Sequence, residues 1–274
     1  MKTTFLNGNL LIENVGEFSL KDTLDCGQCF RWDEQADGSF VGVVGKSVKR
    51  ISQDGETLTF YNTTKAEFEN FWFDYFNFDL NYTAVREFLS ADDVMKTAST
   101  LCKGIQILKQ DPWETVCSFI ISQNNNIPRI KGIISRLCET FGEKIENGHY
   151  TFPSYEIIAN QTVETLAPLR SGFRAKYILD AAKKINSGEV SLERIKNADF
   201  DSAKAELMSI LGIGNKVADC ALLYGFHRLE AFPEDVWIKR AMALLYPNGL
   251  PKEYKKYAGI AQQYLFHYIR NFMR

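Results

Sequence analysis

The residues of this chain best suited to covalent chemistry are Lys216 and Cys220, in the run LGIGNKVADC that begins at Leu211. The run reads as a tight turn between two helices, FDSAKAELMSI before it and NKVADCALLYG after it, with Asn215 expected to cap the second. Gly212 and Gly214 permit a sharp backbone reversal and leave room for another molecule to approach. The N–H groups of Ile213, Gly214 and the first helical turn, through Val217, are then expected to point outward together. Such a nest binds phosphate. Lys216 falls in the first turn, where the positive end of the helix macrodipole disfavours a second cation. A lysine so placed is expected to lose its proton more readily, as a nucleophilic amine requires. Cys220 lies four residues on and shares its face. From these residues alone, an ordinary helical hairpin with a surface lysine fits equally well.

The elements that must position these groups follow from periodicity. Residues 1 to about 62 read as strands. CFRWDEQADGSFVGVVG carries two extended runs joined across Ala36-Asp37-Gly38, and VKRISQDGETLTFYN repeats the pattern across Asp54-Gly55. The expectation is an antiparallel meander with one face on a core. AEFENFWFDYFNFDL is dense in aromatics and reads as a packing cluster under that sheet. TAVREFLSADDVMKTASTLC reads as helices, and GIQILKQD as a late strand returning to the sheet. From Pro112 the chain is almost entirely helical. WETVCSFIISQ is interrupted by Asn124-Asn125-Asn126, and IPRIKGIISRLCETFG follows, with Pro128 in its first turn, Gly142 at its end and a stripe of Ile127, Ile130, Ile134, Leu137 and Phe141. AKYILDAAKKINSG, VWIKRAMALLYP and the segment closing the chain are further helices. The fold class is therefore α+β: a β-rich domain over 1–108 and a helical domain over 109–274, with the hairpin at about 201–226.

Composition narrows the functional class. The 274 residues are 45% apolar, and the formal net charge is −2. With a pI near 6.0, binding nucleic acid by bulk electrostatics is disfavoured, although a local basic face is not. The six cysteines are scattered. Cys26 and Cys29 form one C-x-x-C without a second pair for zinc, and no four-cysteine run marks an iron–sulfur cluster. They read as reduced cytosolic thiols. There is no signal-like N-terminus and no run of about 18 apolar residues, so the expectation is a soluble intracellular protein.

Four further stretches are unusual. Three consecutive asparagines followed by Ile127-Pro128-Arg129 are more polar than a helix connector needs. Ser171-Gly172-Phe173-Arg174 is a loop at a helix entry. Gly27 lies in Cys26-Gly27-Gln28-Cys29-Phe30-Arg31-Trp32. Gln262 and Phe266, four apart, share one face of the last helix. Each also has an ordinary reading, as cap, solvated loop, turn glycine and core residue.

Together these stretches resemble a known family. LGIGNKVADC followed by FPEDVW is similar to the helix–hairpin–helix and Gly/Pro-Asp loop of base-excision DNA glycosylases, and the KVADC run to the 8-oxoguanine DNA glycosylase branch. The likeness covers nearly the whole chain, most closely 118–142, 169–177 and 206–238. It implies a bifunctional glycosylase and abasic-site lyase that flips 8-oxoguanine from duplex DNA, with a nucleotide-flipping cost of a few kcal/mol. Lys216 would attack C1′ and form a Schiff base, and Asp235 would stabilise the charge developing on the sugar, besides capping the next helix. Gly27 would accept the N7–H that only the oxidised base carries. Gln262 would face the pairing edge, Phe266 and Cys220 the two ring faces, and Pro233 would border the base. Asn124 would fill the vacated stack, Arg129 and Arg174 would read the unpaired cytosine, and Phe173 would wedge the opposite strand. Gly212, Gly214 and Val217 would hold DNA phosphates. The implied partner is double-stranded DNA containing 8-oxoguanine, preferably opposite cytosine. No cofactor and no metal are implied, and a monomer is expected, at the nucleoid in a prokaryote or in the nucleus of a eukaryote.

This chain departs from the family's pattern at Phe173 (commonly tyrosine), Trp237 (often a histidine that contacts phosphate), Tyr224 and Ala167 (a third arginine in eukaryotes). Two rivals remain open: a glycosylase for another oxidised or alkylated base, and a non-catalytic helix–hairpin–helix module.

Overall fold

Short runs of alternating side chains separated by Gly-containing turns give the first sixty residues six antiparallel strands. These are β1 (Lys2–Leu6), β2 (Asn9–Glu13), β3 (Trp32–Glu34), β4 (Phe40–Val44), β5 (Ser47–Asp54) and β6 (Thr57–Phe60). The computed structural model describes residues 1–273. The sheet order is β1-β2-β6-β5-β4-β3. Both expected hairpins form, with Trp32 opposite Gly42 and Ile51 opposite Phe60. One face turns Leu10, Ile12, Trp32, Ile51, Leu58 and Phe60 inward. The aromatic run packs beneath it as expected: Phe68, Trp72, Tyr75 and Phe76 share this core, and the Trp32 indole donates to the Tyr75 hydroxyl at 2.9 Å.

Residues 104–111 are not the expected strand. Apolar alternation buries Ile105, Ile107 and Leu108, but no neighbouring strand supplies a ladder. The N–H of Gln106 goes to Thr23 Oγ1, that of Ile107 to the Tyr82 hydroxyl, and that of Leu108 to Gln28 Oε1. Side chains from three separate segments take the place of a paired strand, which satisfies the buried amides equally well.

Among the described residues, the helices of eight residues or more are α1 (Tyr82–Leu89), α2 (Asp93–Leu101), α3 (Pro112–Ser122), α4 (Ile127–Phe141), α5 (Arg174–Ser187), α6 (Phe200–Met208), α7 (Asn215–Gly225), α8 (Val236–Leu245) and α9 (Ala258–Phe272). They enclose a second core. α3 and α7 lie at its centre, and each buries eight side chains. α1 and α2 precede residue 109, yet Val85, Leu89, Met95 and Ala98 belong to this helical core. Cys26 and Phe30 belong to it too, so the segment between β2 and β3 is docked on the helices. Gly142 ends α4 with an extended backbone rather than a left-handed one. Among the described residues no helix is long and apolar enough to cross a membrane.

Candidate active site and DNA-facing loops

The hairpin forms between α6 and α7, but its capping differs from the sequence expectation. Gly214, with extended backbone, is the N-cap, and Asn215 is already helical. No side chain caps this end, and the first N–H to reach back is that of Ala218, to the Gly214 carbonyl at 3.0 Å. The amides of the first turn are therefore left without intrahelical acceptors. Ile213 does not join them, because its N–H donates to the Ile210 carbonyl at 3.1 Å. Val217 can contribute only its backbone N–H, since its side chain is buried in the helical core. Gly212 is required twice over. Its φ is +81°, and an added Cβ would lie 2.4 Å from the Tyr177 ring. An added Cβ at Gly214 would meet nothing within 4 Å, so that side of the turn stays open to a large molecule.

α7 places Lys216, Cys220 and Tyr224 at successive four-residue steps, one stripe along the helix. The stripe lines a cavity of about 60 Å³, together with Cys26, Gly27, Phe119, Pro233, Asp235, Gln262, Gln263 and Phe266. Lys216 Nζ lies 5.2 Å from the centre of the Phe119 ring. Burial pushes the Cys220 thiol up to about 11, with the Lys216 ammonium pulling the other way.

Asp235 is the N-cap of α8. Its Oδ1 accepts from the N–H groups of Trp237 at 3.0 Å and Ile238 at 2.8 Å. The cap occupies one carboxylate oxygen and leaves the other for the cavity. From α9, the Gln262 amide donates to the Pro233 carbonyl at 3.2 Å.

Gly27 enters the cavity from the sheet side with a φ of +84°. Its neighbour Gln28, 1% exposed, holds it there. The Gln28 amide donates to the carbonyls of Thr23 and Gln106, both at 2.8 Å, and accepts from the Leu108 N–H at 2.9 Å. The Gln28 carbonyl in turn accepts from the Gln110 amide at 2.8 Å. Sequence reasoning overlooked Gln28, although a glutamine beside the turn glycine was its signal. It also overlooked Cys26, Phe119 and Gln263 as lining residues. Phe119 sits mid-helix in an apolar run, and nothing in its neighbours marks it.

The three asparagines have three different tasks. Asn126 caps α4 by accepting from the Arg129 N–H. Asn125 donates to the Ile121 carbonyl at 3.0 Å. Asn124 has a φ of +46° and an exposed side chain, which is free to face DNA. Arg129 is exposed as well.

Arg174 departs from expectation. It is 2% exposed, and its guanidinium donates to the carbonyls of Gln123 (through both Nε and Nη2), Asn124 and Ser171. Those bonds use four of its five N–H groups. Arg174 therefore holds the Asn124 turn and has a single donor left for a base. Burial, followed by the nearby charge of Arg129, lowers its pKa. Phe173 is 47% exposed. Its ring stacks on the Arg174 guanidinium at 4.4 Å and meets the Tyr177 ring edge-on at 5.6 Å. Tyr177 is the ring that underlies Gly212, so Phe173 and the hairpin share a support.

This geometry agrees with what comparison shows. Residues 117–263 match the family described as HhH-GPD superfamily base excision DNA repair protein, and the chain belongs to that superfamily of DNA repair proteins. Residues 10–116 match the family described as 8-oxoguanine DNA glycosylase, N-terminal domain, which places the chain in the 8-oxoguanine branch. The N-glycosylase/DNA lyase of Saccharomyces cerevisiae is 32% identical, over 91% of this chain and 73% of that protein. The 8-oxoguanine glycosylase/lyase of Clostridium acetobutylicum, solved with double-stranded DNA containing cytosine opposite 8-oxoguanine, is 37% identical with a TM-score of 0.92, covering 100% of this chain and 99% of the other. A structure described as MBOgg1 in complex with a low-affinity DNA ligand is 43% identical, also with a TM-score of 0.92 and coverage of 100% and 99%.

Proposed function

We propose that this protein flips 8-oxoguanine out of duplex DNA, excises it through an imine at Lys216, and cleaves the strand by β-elimination. One observation carries the reading. Lys216, Cys220, Asp235, Gln262, Phe266 and Gly27 come from four separate stretches and line one cavity. The Lys216 amine attacks C1′ of the flipped nucleotide as the bond from C1′ to the base breaks, and the base leaves with that electron pair. The Asp235 oxygen not used by the cap faces the positive charge that grows on the sugar. The Gly27 carbonyl accepts from the N7–H of the oxidised base, whereas ordinary guanine presents an N7 lone pair and would leave it unpaired. The uncapped amides at the start of α7 take a phosphate. The protein acts where DNA is, at the nucleoid or in the nucleus.

Borohydride trapping on a duplex bearing one 8-oxoguanine, beside a panel of other oxidised and alkylated bases, tests the reading. A covalent adduct and selective release of 8-oxoguanine are expected. A non-catalytic binding module gives no adduct, and a glycosylase for another lesion releases a different base.

Two residue-level outcomes follow. Phe266 is half-buried at the cavity, and stacking on an aromatic is worth roughly 1–3 kcal/mol per base. Phe266→Ala is expected to weaken lesion-duplex binding by about tenfold or more, with the melting temperature showing a folded protein. Unchanged binding would make Phe266 a core residue only.

Cytosine presents acceptors at O2 and N3, and Arg129 has only donors. Excision opposite cytosine should therefore exceed excision opposite adenine. Because Arg174 is largely occupied by backbone carbonyls, the preference rests mainly on Arg129. Arg129→Ala should flatten it by roughly 1–3 kcal/mol. The measurement is single-turnover excision against all four opposite bases at fixed salt. Equal rates opposite cytosine and adenine in the unmodified protein would leave Arg129 a phosphate contact.

A further inference from the structure

The far wall of the cavity holds a hydrogen-bond chain that neither the sequence pattern nor the proposed reaction uses. Gln262 and Gln263 are adjacent on α9, and both are buried. The Gln262 amide nitrogen donates to the Pro233 carbonyl at 3.2 Å. A carbonyl can only accept, so this contact fixes which end of the amide is nitrogen. The Gln262 oxygen then faces Gln263, whose amide nitrogen donates to it at 2.8 Å. The second hydrogen of the same nitrogen goes to the Tyr224 hydroxyl. Tyr224 is itself held by stacking on Phe119, at 5.3 Å and 17°. Every donor on the Gln263 amide is thus engaged, while its oxygen is buried without any partner. Leaving a buried oxygen unpaired is unfavourable; the bond to the Gln262 oxygen, which can only accept, demands this orientation, and the Tyr224 hydroxyl accommodates it.

We propose that Gln263, braced by Tyr224, is a positioning residue that, together with the Pro233 carbonyl, holds the Gln262 amide with its oxygen toward the pairing edge and thereby selects guanine-type over adenine-type lesions. The inference rests on the reading of the site given above. With its nitrogen tied to Pro233, Gln262 offers the cavity an oxygen that retains one acceptor site. The pairing edge of a guanine presents N–H donors at N1 and N2 and matches that acceptor. An adenine edge presents a lone pair at N1 and opposes it. 8-Oxoguanine and 8-oxoadenine both carry the N7–H that Gly27 would recognise, so Gly27 does not separate them, and the pairing edge does.

The test compares single-turnover excision of 8-oxoguanine and 8-oxoadenine, each opposite cytosine, by the unmodified protein, Gln263→Leu, Tyr224→Phe and the double variant. Leucine approximates the volume of glutamine without its donors, and phenylalanine removes one oxygen. Gln263→Leu is expected to lower the ratio of the two rates by about tenfold, the equivalent of one lost hydrogen bond. Tyr224→Phe shifts the ratio in the same direction by less, and adds nothing in the Gln263→Leu background because both act through one chain. Borohydride trapping on abasic-site DNA, which contains no base to read, reports an intact nucleophile. An unchanged ratio in either single variant overturns the proposal. So does a loss that falls equally on trapping and on both lesions, which marks a packing role. If the unmodified protein excises no 8-oxoguanine, the reading of the site fails and takes this inference with it. If it does excise the lesion but the variants keep the ratio, only the inference fails.

Discussion

Lys216→Gln lowers excision of 8-oxoguanine by more than about a thousandfold and abolishes imine trapping, while binding to the lesion duplex stays within a few-fold. The separation follows from the geometry. The proposed phosphate site at the start of α7 consists of backbone amides left without a side-chain cap, which a side-chain change at 216 does not remove. Gly27, Gln262 and Phe266, the residues proposed to hold the base, lie on other elements. Glutamine keeps the helix propensity of lysine, so the hairpin survives. It has no basic amine, so neither attack at C1′ nor an imine is available. The assay pairs single-turnover excision with a binding titration, and normal turnover by the variant would falsify the assignment of the nucleophile.

Asp235→Asn separates the cap that Asp235 provides from the electrostatic role proposed for it. Asparagine caps a helix about as well as aspartate, so the start of α8 should hold and the melting temperature should barely move. The charge is lost, however, and with it the stabilisation of the positive sugar. Excision should fall by about 10²- to 10³-fold, the scale of a single preorganised electrostatic contact. Asp235→Ala should add a stability loss of about 1 kcal/mol from the missing cap. If Asp235→Asn keeps full activity, the carboxylate acts only through the cap.

The hairpin, the aromatic core under the sheet and the polarity of the last helix were legible because each depends on local spacing. Lys216, Cys220, Gln262 and Phe266 meet as their helical periods require. The misreadings arose where partners are distant in sequence. The alternating run at 104–111 looks like a strand, but alternation only states that one face is buried. Whether the amides find a ladder or the side chains of Thr23, Tyr82 and Gln28 is settled by tertiary contacts. Asn215 is a good cap by type, yet Gly214 takes the position with extended backbone and Asn215 is already helical. The resemblance implies that Arg174 reads the unpaired cytosine from its loop. Its burial against Gln123 and Asn124 depends on a loop 51 and 50 residues away in sequence.

The cavity is a seam. Gly27 belongs to the segment between β2 and β3, anchored through Gln28 and docked on the helical core, whereas Lys216 belongs to a helix at the centre of that core. On the proposed reading, the N7–H contact at Gly27 and the attack on the sugar at Lys216 thus fall to two different stretches of one chain. A change that loosens the Gln28 anchorage would leave the amine and its hairpin in place and still armed. The resulting protein would be less discriminating before it became less reactive, a hazardous order of failure for an enzyme that breaks DNA. Four hydrogen bonds converging on one glutamine, far more than a turn needs, are the molecule's guard against it.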